Sequence, residues 1–237
     1  MPNPFKIGEQ SCALFALHSG KRYEFLGTAF FFRRGERVLG ATAAHCIAEP
    51  QPPELFMASA HGNECRVSVA AIDRSVDLCL LSPEQASPDM TMTLSEDPSV
   101  PGNITLQTYE YSATVRSGNS WHVNPATRVG NCVRQLSSPF GPGGERMLEL
   151  SFPALRGASG APVIENKTFG TNLRMVVRGI IVANMERHLL PAQIETVLTE
   201  DNALLEERKY FLPQAAAVNA VHPARIADEW LTGVNGS

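Results

Sequence analysis

The chain reads as an all-β protein of the sandwich or barrel class, closed by a helix at its C-terminal end. Three observations predict this. Short apolar, strand-like runs recur from residue 12 to residue 183, and 18 glycines and 17 prolines repeatedly break the chain between them. A helix-compatible spacing of apolar residues emerges only beyond residue 190.

In order, residues 12–18 form an apolar run, Lys21-Arg22 marks a turn, and residues 25–32 are rich in aromatics. Arg33-Arg34-Gly35-Glu36 makes a second turn before a run over 38–44. Residues 66–72 alternate polar and apolar, and 76–81 form a further short strand, with proline-bearing loops at 48–53 and 84–88. Around 94–103 the chain becomes polar and rich in Pro and Gly, which divides it into residues 1–97 and 98–237. Strand-like runs resume at 104–111, 126–136, 147–152, 161–164 and 175–183, with a loop over 137–144. Residues 190–205 mix acidic and apolar side chains at helical intervals, so the segment 185–212 is expected to form a partly helical flap beside the second half. Pro223 is placed as the first residue of a helix whose Ile226, Trp230 and Leu231 share one face, expected to dock on the second half.

Net charge of −4 and a pI near 5.9 argue against general nucleic-acid or anionic-membrane binding. No apolar run approaches the ~20 residues of a membrane span, and Met1-Pro2-Asn3-Pro4 does not begin a signal peptide. The five cysteines are scattered without a Cys-x-x-Cys pair, which indicates neither a zinc site nor a disulfide framework. A cytoplasmic protein with no metal and no cofactor is the expectation. The chain could also be a module of a larger protein or answer to a regulatory partner.

The chemistry gathers at three places. In Arg156-Gly157-Ala158-Ser159-Gly160-Ala161-Pro162 a serine stands between glycines, which let backbone N–H groups converge and keep the hydroxyl uncrowded. A serine needs a neighbouring base to become a nucleophile. Thr42-Ala43-Ala44-His45-Cys46 closes a strand with an imidazole in a run of small residues. Asp77 leads an apolar strand, where burial is costly unless a donor such as a histidine N–H satisfies it. Asp73 is the rival carboxylate, which solvent or Arg74 can satisfy.

Together these segments resemble the signatures of trypsin-like (chymotrypsin-fold) serine proteases, in that family's order of His, Asp and Ser. Asp77 follows His45 by 32 residues and Ser159 follows Asp77 by 82, spacings closer to bacterial Deg-type proteases than to secreted digestive ones. Gly27-Thr28-Ala29-Phe30 resembles the family's strand before the histidine, and Gly179-Ile180-Ile181-Val182 the strand after the nucleophile. The resemblance implies two antiparallel six-stranded β-barrels, His45 and Asp77 from the first and Ser159 from the second, and a polypeptide substrate. His45 would be the general base, Asp77 its orienting partner, and the N–H groups of Gly157 and Ser159 the oxyanion hole. With a near-neutral His45, activity should rise with pH through about 7.

Departures from the family also matter. Ala158 stands where digestive relatives carry the aspartate of their zymogen switch, and no cysteine lies near Phe30 to pair with Cys46. The specificity pocket is expected at Pro153, flanked by Phe152 and Ala154, with a wall from Val182, Ala183 and Asn184. Such a pocket favours small or medium apolar side chains, and Glu149 is the one rival for a basic preference. The alternative function is a catalytically silent trypsin-fold binding module whose oxyanion loop has collapsed for want of the ion pair at Ala158.

Overall fold

The computed structural model describes residues 11–18, 22–50, 52, 54–84, 91–102, 104–137, 146–169, 172–198 and 203–235. The first barrel comprises β1 (Ser11–His18), β2 (Arg22–Arg34), β3 (Arg37–Ala43), β4 (Glu54–Ala58), β5 (Glu64–Asp73) and β6 (Leu78–Pro83). These strands close antiparallel in the order β1-β2-β3-β6-β5-β4. Aromatic and branched residues dictate this arrangement, because Phe30, Phe32, Leu39, Leu80 and Leu81 lose all or nearly all contact with water. Residues 27–32 of β2 are buried without interruption. The strand is covered on both faces, as a run lacking polar alternation requires.

Between the barrels the chain runs through β7 (Thr93–Leu94), which adds to the second barrel in parallel. Just before it, the Met92 N–H donates to Phe31 O (2.8 Å), so the crossing segment is laced to both barrels. The second barrel begins with β8 (Thr105–Glu110), after which β9 (Val115–Ser117) and β10 (Ser120–His122) form a separate two-stranded hairpin. It continues through β11 (Ala126–Ser137), β12 (Arg146–Leu150), β13 (Pro162–Phe169), β14 (Asn172–Leu198) and β15 (Ala203–Asn219). The order β13-β8-β11-β12-β15-β14 closes through β13 and β14 into a second six-stranded antiparallel ring. The expected all-β double barrel is therefore the fold.

Two regions differ from the sequence reading. Residues 185–198 and 203–212 continue β14 and β15 into a long antiparallel hairpin, not a partly helical flap. Apolar spacing alone could not decide, and pairing between the two arms overrides local propensity. The register shifts between Leu189 and Gln193, where Pro191 cannot donate to a ladder. The terminal helix α1 (Val221–Asn235) forms as expected but docks on the first barrel. The Arg37 guanidinium lies 5.7 Å from the Trp230 ring centroid, and Asp228 takes two hydrogen bonds from Arg34, each 2.7 Å. Among the described residues, no helix is long and apolar enough to cross a membrane.

Candidate active site

His45 lies on a single 3-10 turn, Ala44–Cys46, directly after β3. The small buried residues Thr42, Ala43 and Ala44 let this turn sit against the barrel end. Asp77 occupies the turn before β6 with φ of 56°, a left-handed conformation that a non-glycine residue adopts at a cost of about 1–3 kcal/mol. That backbone presents its carbonyl and both carboxylate oxygens to the histidine turn. Asp77 O accepts the Ala44 N–H at 3.0 Å, Oδ1 accepts the His45 N–H at 2.8 Å, and Oδ2 lies 2.6 Å from His45 Nδ1. With Nδ1–H facing the carboxylate, Nε2 is the basic nitrogen of the neutral ring. The carboxylate, with the Cys46 side chain adding to it, pushes the imidazole up to about 10 against the opposing effect of burial. The near-neutral titration expected from the sequence is thereby corrected.

Asp73 is occupied elsewhere. Its Oδ1 accepts the Ser75 N–H (3.0 Å) and the Ser75 hydroxyl (2.5 Å), and its Oδ2 lies 3.8 Å from Arg225 of α1. Arg74 pairs with Glu49 instead of Asp73.

Ser159 is half-buried in the loop before β13. The loop reaches the histidine side through Thr28, a fully buried residue of β2. The Thr28 N–H donates to Ser159 O (2.9 Å), and its Oγ1 donates to Gly157 O (2.7 Å) while accepting the Tyr111 N–H (3.0 Å). Cys46 Sγ lies 3.9 Å from the same Ser159 carbonyl, so the residue beside His45 touches the Ser159 backbone. Gly160 has φ of 86°, and a Cβ there would collide with Thr28 O and the Thr42 hydroxyl, so only glycine permits this docking. Among the described residues, the N–H groups of Gly157 and Ser159 have no hydrogen-bond partner. Ser159 Oγ likewise has no partner among the described residues; such bonds often tighten only when substrate binds. Ala158 is fully buried in the second core, which leaves no room for an aspartate there. Thr28 holds the loop from the other side.

A cavity of about 420 Å³ opens beside the histidine, lined by His45 and Asp77 from the first barrel and Met147, Val182, Ala183 and Val218 from the second. Pro153 and Asn184 lie outside its lining. They belong to two segments stitched together by Asn184, whose Oδ1 accepts the Ala154 N–H (2.7 Å) and whose Nδ2 donates to Ala154 O (2.5 Å). Pro153 is half-buried there, between buried Phe152 and Ala154. Glu149 is 1% exposed and paired with Arg134, which removes it as a receptor for basic side chains. All five cysteines are free thiols.

Thr28 was visible in the sequence only as part of a strand motif. A hydroxyl in an otherwise apolar run was the signal for its role, since a buried hydroxyl needs partners.

Fold and site geometry together define a class. The model of the trypsin-like peptidase domain matches residues 27–169, and the chain belongs to that family of serine peptidases. Among solved structures it resembles the HtrA-type protease AlgW in complex with a decapeptide, at 12% identity and a TM-score of 0.62, over 95% of this chain and 65% of that one. Rv3671c from M. tuberculosis, in an inactive form with its serine replaced by alanine, matches at 16% identity and a TM-score of 0.57, over 100% and 92% of the two chains. At these identities the likeness is one of fold, and this chain spans 60–65% of the length of the AlgW chains it matches. A search among curated proteins finds no match.

Proposed function

We propose that the chain is a serine endopeptidase working through Ser159, His45 and Asp77. The observation that carries this reading is the doubly bonded His45–Asp77 pair with the Ser159 loop docked beside it on Thr28. As Ser159 Oγ attacks the peptide carbonyl, His45 Nε2 takes its proton, and Asp77 stabilises the imidazolium that forms. The Gly157 and Ser159 N–H groups receive the developing oxyanion, each worth about 3–4 kcal/mol in such sites. His45 then protonates the leaving amine, and water releases the acyl group from Ser159. A substrate backbone adding along residues 182–184 sets its side chain beside Pro153. With Glu149 held by Arg134, small or medium apolar side chains are preferred there.

The experiment is covalent labelling with a fluorophosphonate together with hydrolysis of a mixed peptide pool. Labelling and cleavage are both expected, and both should vanish in Ser159→Ala. A parent chain that binds peptides yet neither labels nor cleaves is the silent module instead.

A further inference from the structure

A second cavity, of about 500 Å³, shares no lining residue with the first and reaches Arg156 of the Ser159 loop, and three arginines line it: Arg22, Arg116 and Arg156. They come from β2, from β9 and from the residue directly before Gly157. All three are exposed, and Arg22 and Arg156 have no ionic or hydrogen-bond partner among the described residues. Arg116 spends its Nε on Gly118 O (3.0 Å) and keeps its terminal nitrogens. The carboxylate in the lining, Glu24, lies 2.8 Å from His18 Nε2, so three guanidiniums stand there against one carboxylate. A chain of net charge −4 thus concentrates an excess of positive charge beside its Ser159 loop.

The floor between these arginines is aromatic and fixed. Trp121 packs at 5.6 Å from Phe15 and 6.1 Å from Phe25 (ring centroids), and its Nε1–H donates to Tyr23 O at 3.2 Å. The β9–β10 hairpin is thereby pinned to β1 and β2 of the first barrel. Phe25 also meets the oxyanion loop, since a Cβ on Gly157 would fall 2.7 Å from its ring. The cavity therefore begins where the oxyanion site ends. A peptide whose acyl part lies along residues 182–184 sends its leaving part the other way, past Gly157 and into this basic cavity.

We infer that this cavity binds the polypeptide segment on the leaving side of the scissile bond and selects carboxylates there, as Asp or Glu side chains or as a substrate's own C-terminus. The inference rests on the endopeptidase reading for its direction. Arginine forks suit carboxylates in pairs, and charges at a cleft mouth raise the local concentration of an acidic segment.

The test compares two internally quenched peptide libraries, mixed at the four positions before the bond and carrying either Glu or Lys at the second and third positions after it. The Glu library should be cleaved about tenfold faster at low ionic strength, with the ratio shrinking in about 0.5 M salt, where charges are screened within a few Å. Replacing Arg22 and Arg116 by Gln should bring the ratio, measured within that variant, towards one. A Glu series ending in a free acid, set against the same series as amides, separates the two carboxylate sources. Faster cleavage of the acids places the C-terminus in the cavity, and equal rates place side chains there. Equal cleavage of Glu and Lys libraries by the parent overturns the inference and leaves the peptidase reading intact. If neither library is cleaved and Ser159 takes no fluorophosphonate, the peptidase reading fails. The cavity is then judged by binding of the peptides Ala-Glu-Glu-Ala and Ala-Lys-Lys-Ala to Ser159→Ala, where equal affinities overturn it.

Discussion

In the first barrel the interior is filled by Phe30, Phe32, Leu39, Leu80 and Leu81, and the buried polar residues of its strands are the neutral Ser11, Thr28 and Thr42. In the second, an apolar core of Leu106, Leu148, Leu150, Phe152 and Ile181 is joined by buried Glu110, Glu149 and Arg178, each with a partner of opposite type: Arg128 at 2.7 Å, Arg134, and Glu165 at 2.6 Å. The same six-stranded closure is thus reached with and without buried ion pairs. Apolar packing suffices to fix the His45–Asp77 pair at the end of the first barrel. The second barrel adds desolvated ion pairs to its apolar core, and its Ser159 loop takes support from Thr28 of its neighbour. Rigidity for His45 and borrowed support for Ser159 are the lesson, and substitutions can separate them.

The largest effect is expected at the first barrel's own site. Asp77→Ala should lower kcat/KM by about 10⁴-fold, while Asp73→Ala, whose carboxylate faces Ser75 and Arg225, should change it only a few-fold. Because Asp77 raises His45 to about 10, the neutral base is scarce at pH 7 and activity should climb through the alkaline range. Asp77→Asn should move that limb down towards about 6.5, the ordinary imidazole value, as read from labelling rate against pH. The raised value also means that the pair's contribution to stability is full below about 6.5 and is lost as pH rises through about 10. An acid limb left in place by Asp77→Asn would break the assignment.

The buried pairs of the second barrel come next. Arg178 is 3% exposed in its side chain and also donates to Ser95 Oγ (2.6 Å), tying the crossing segment to β14. Glu165→Ala removes the 2.6 Å partner of Arg178, leaving only the exposed Asp97 carboxylate at 3.9 Å, and should cost about 3 kcal/mol in denaturant unfolding. The double replacement Glu165→Leu with Arg178→Met should recover most of that loss. If the single variant unfolds like the parent, the second interior is not held by its charges.

A smaller effect is expected where the barrels meet. Thr28→Val removes the hydroxyl that joins Gly157 O to the Tyr111 N–H. A stranded polar group costs about 1–3 kcal/mol, so a fall of roughly 10–100-fold should appear in kcat with KM little moved. Thr28→Ser keeps the hydroxyl and should restore the rate, a rescue that lost packing alone would not give.

Much of this was legible in the letters. His45, Asp77 and Ser159 stand at strand ends or turns, where local residue types announce chemistry before any packing is known. The strands before and after the nucleophile were legible for the same local reason. The long hairpin was not, because apolar residues every three or four positions suit a helix until a second arm offers a ladder, as 203–212 does. The docking face of α1 was hidden as well. Ile226, Trp230 and Leu231 describe a face, but its partners Arg34 and Arg37 lie nearly two hundred residues away. The basic cavity is less legible still, since Arg22, Arg116 and Arg156 converge only through the pinning of Trp121 on Phe15 and Phe25.

The smallest effect should come from the clamp that returns α1 to the first barrel. Arg34 donates to both oxygens of Asp228 and, at 2.7 Å, to Glu96, which makes it a bridge between helix, β2 and the crossing segment. Yet Asp228 and Glu96 are well exposed, and water screens such pairs to about 0–1 kcal/mol. Asp228→Asn should therefore lower Tm by no more than about 2–4 °C at pH 7. The Arg34 hydrogen bonds hold the Asp228 carboxyl below its ordinary value, so its share of stability is present above the usual carboxylate range and lost as pH falls through the lowered one. The gap in Tm between variant and parent should accordingly close on strong acidification. Peptide hydrolysis should stay within about twofold, because the apolar face around Ile226 and Ala227 still seats the helix. A tenfold loss of activity with an unchanged Tm would show that the helix does more than pack, and that the first barrel's site is not fixed by its own interior.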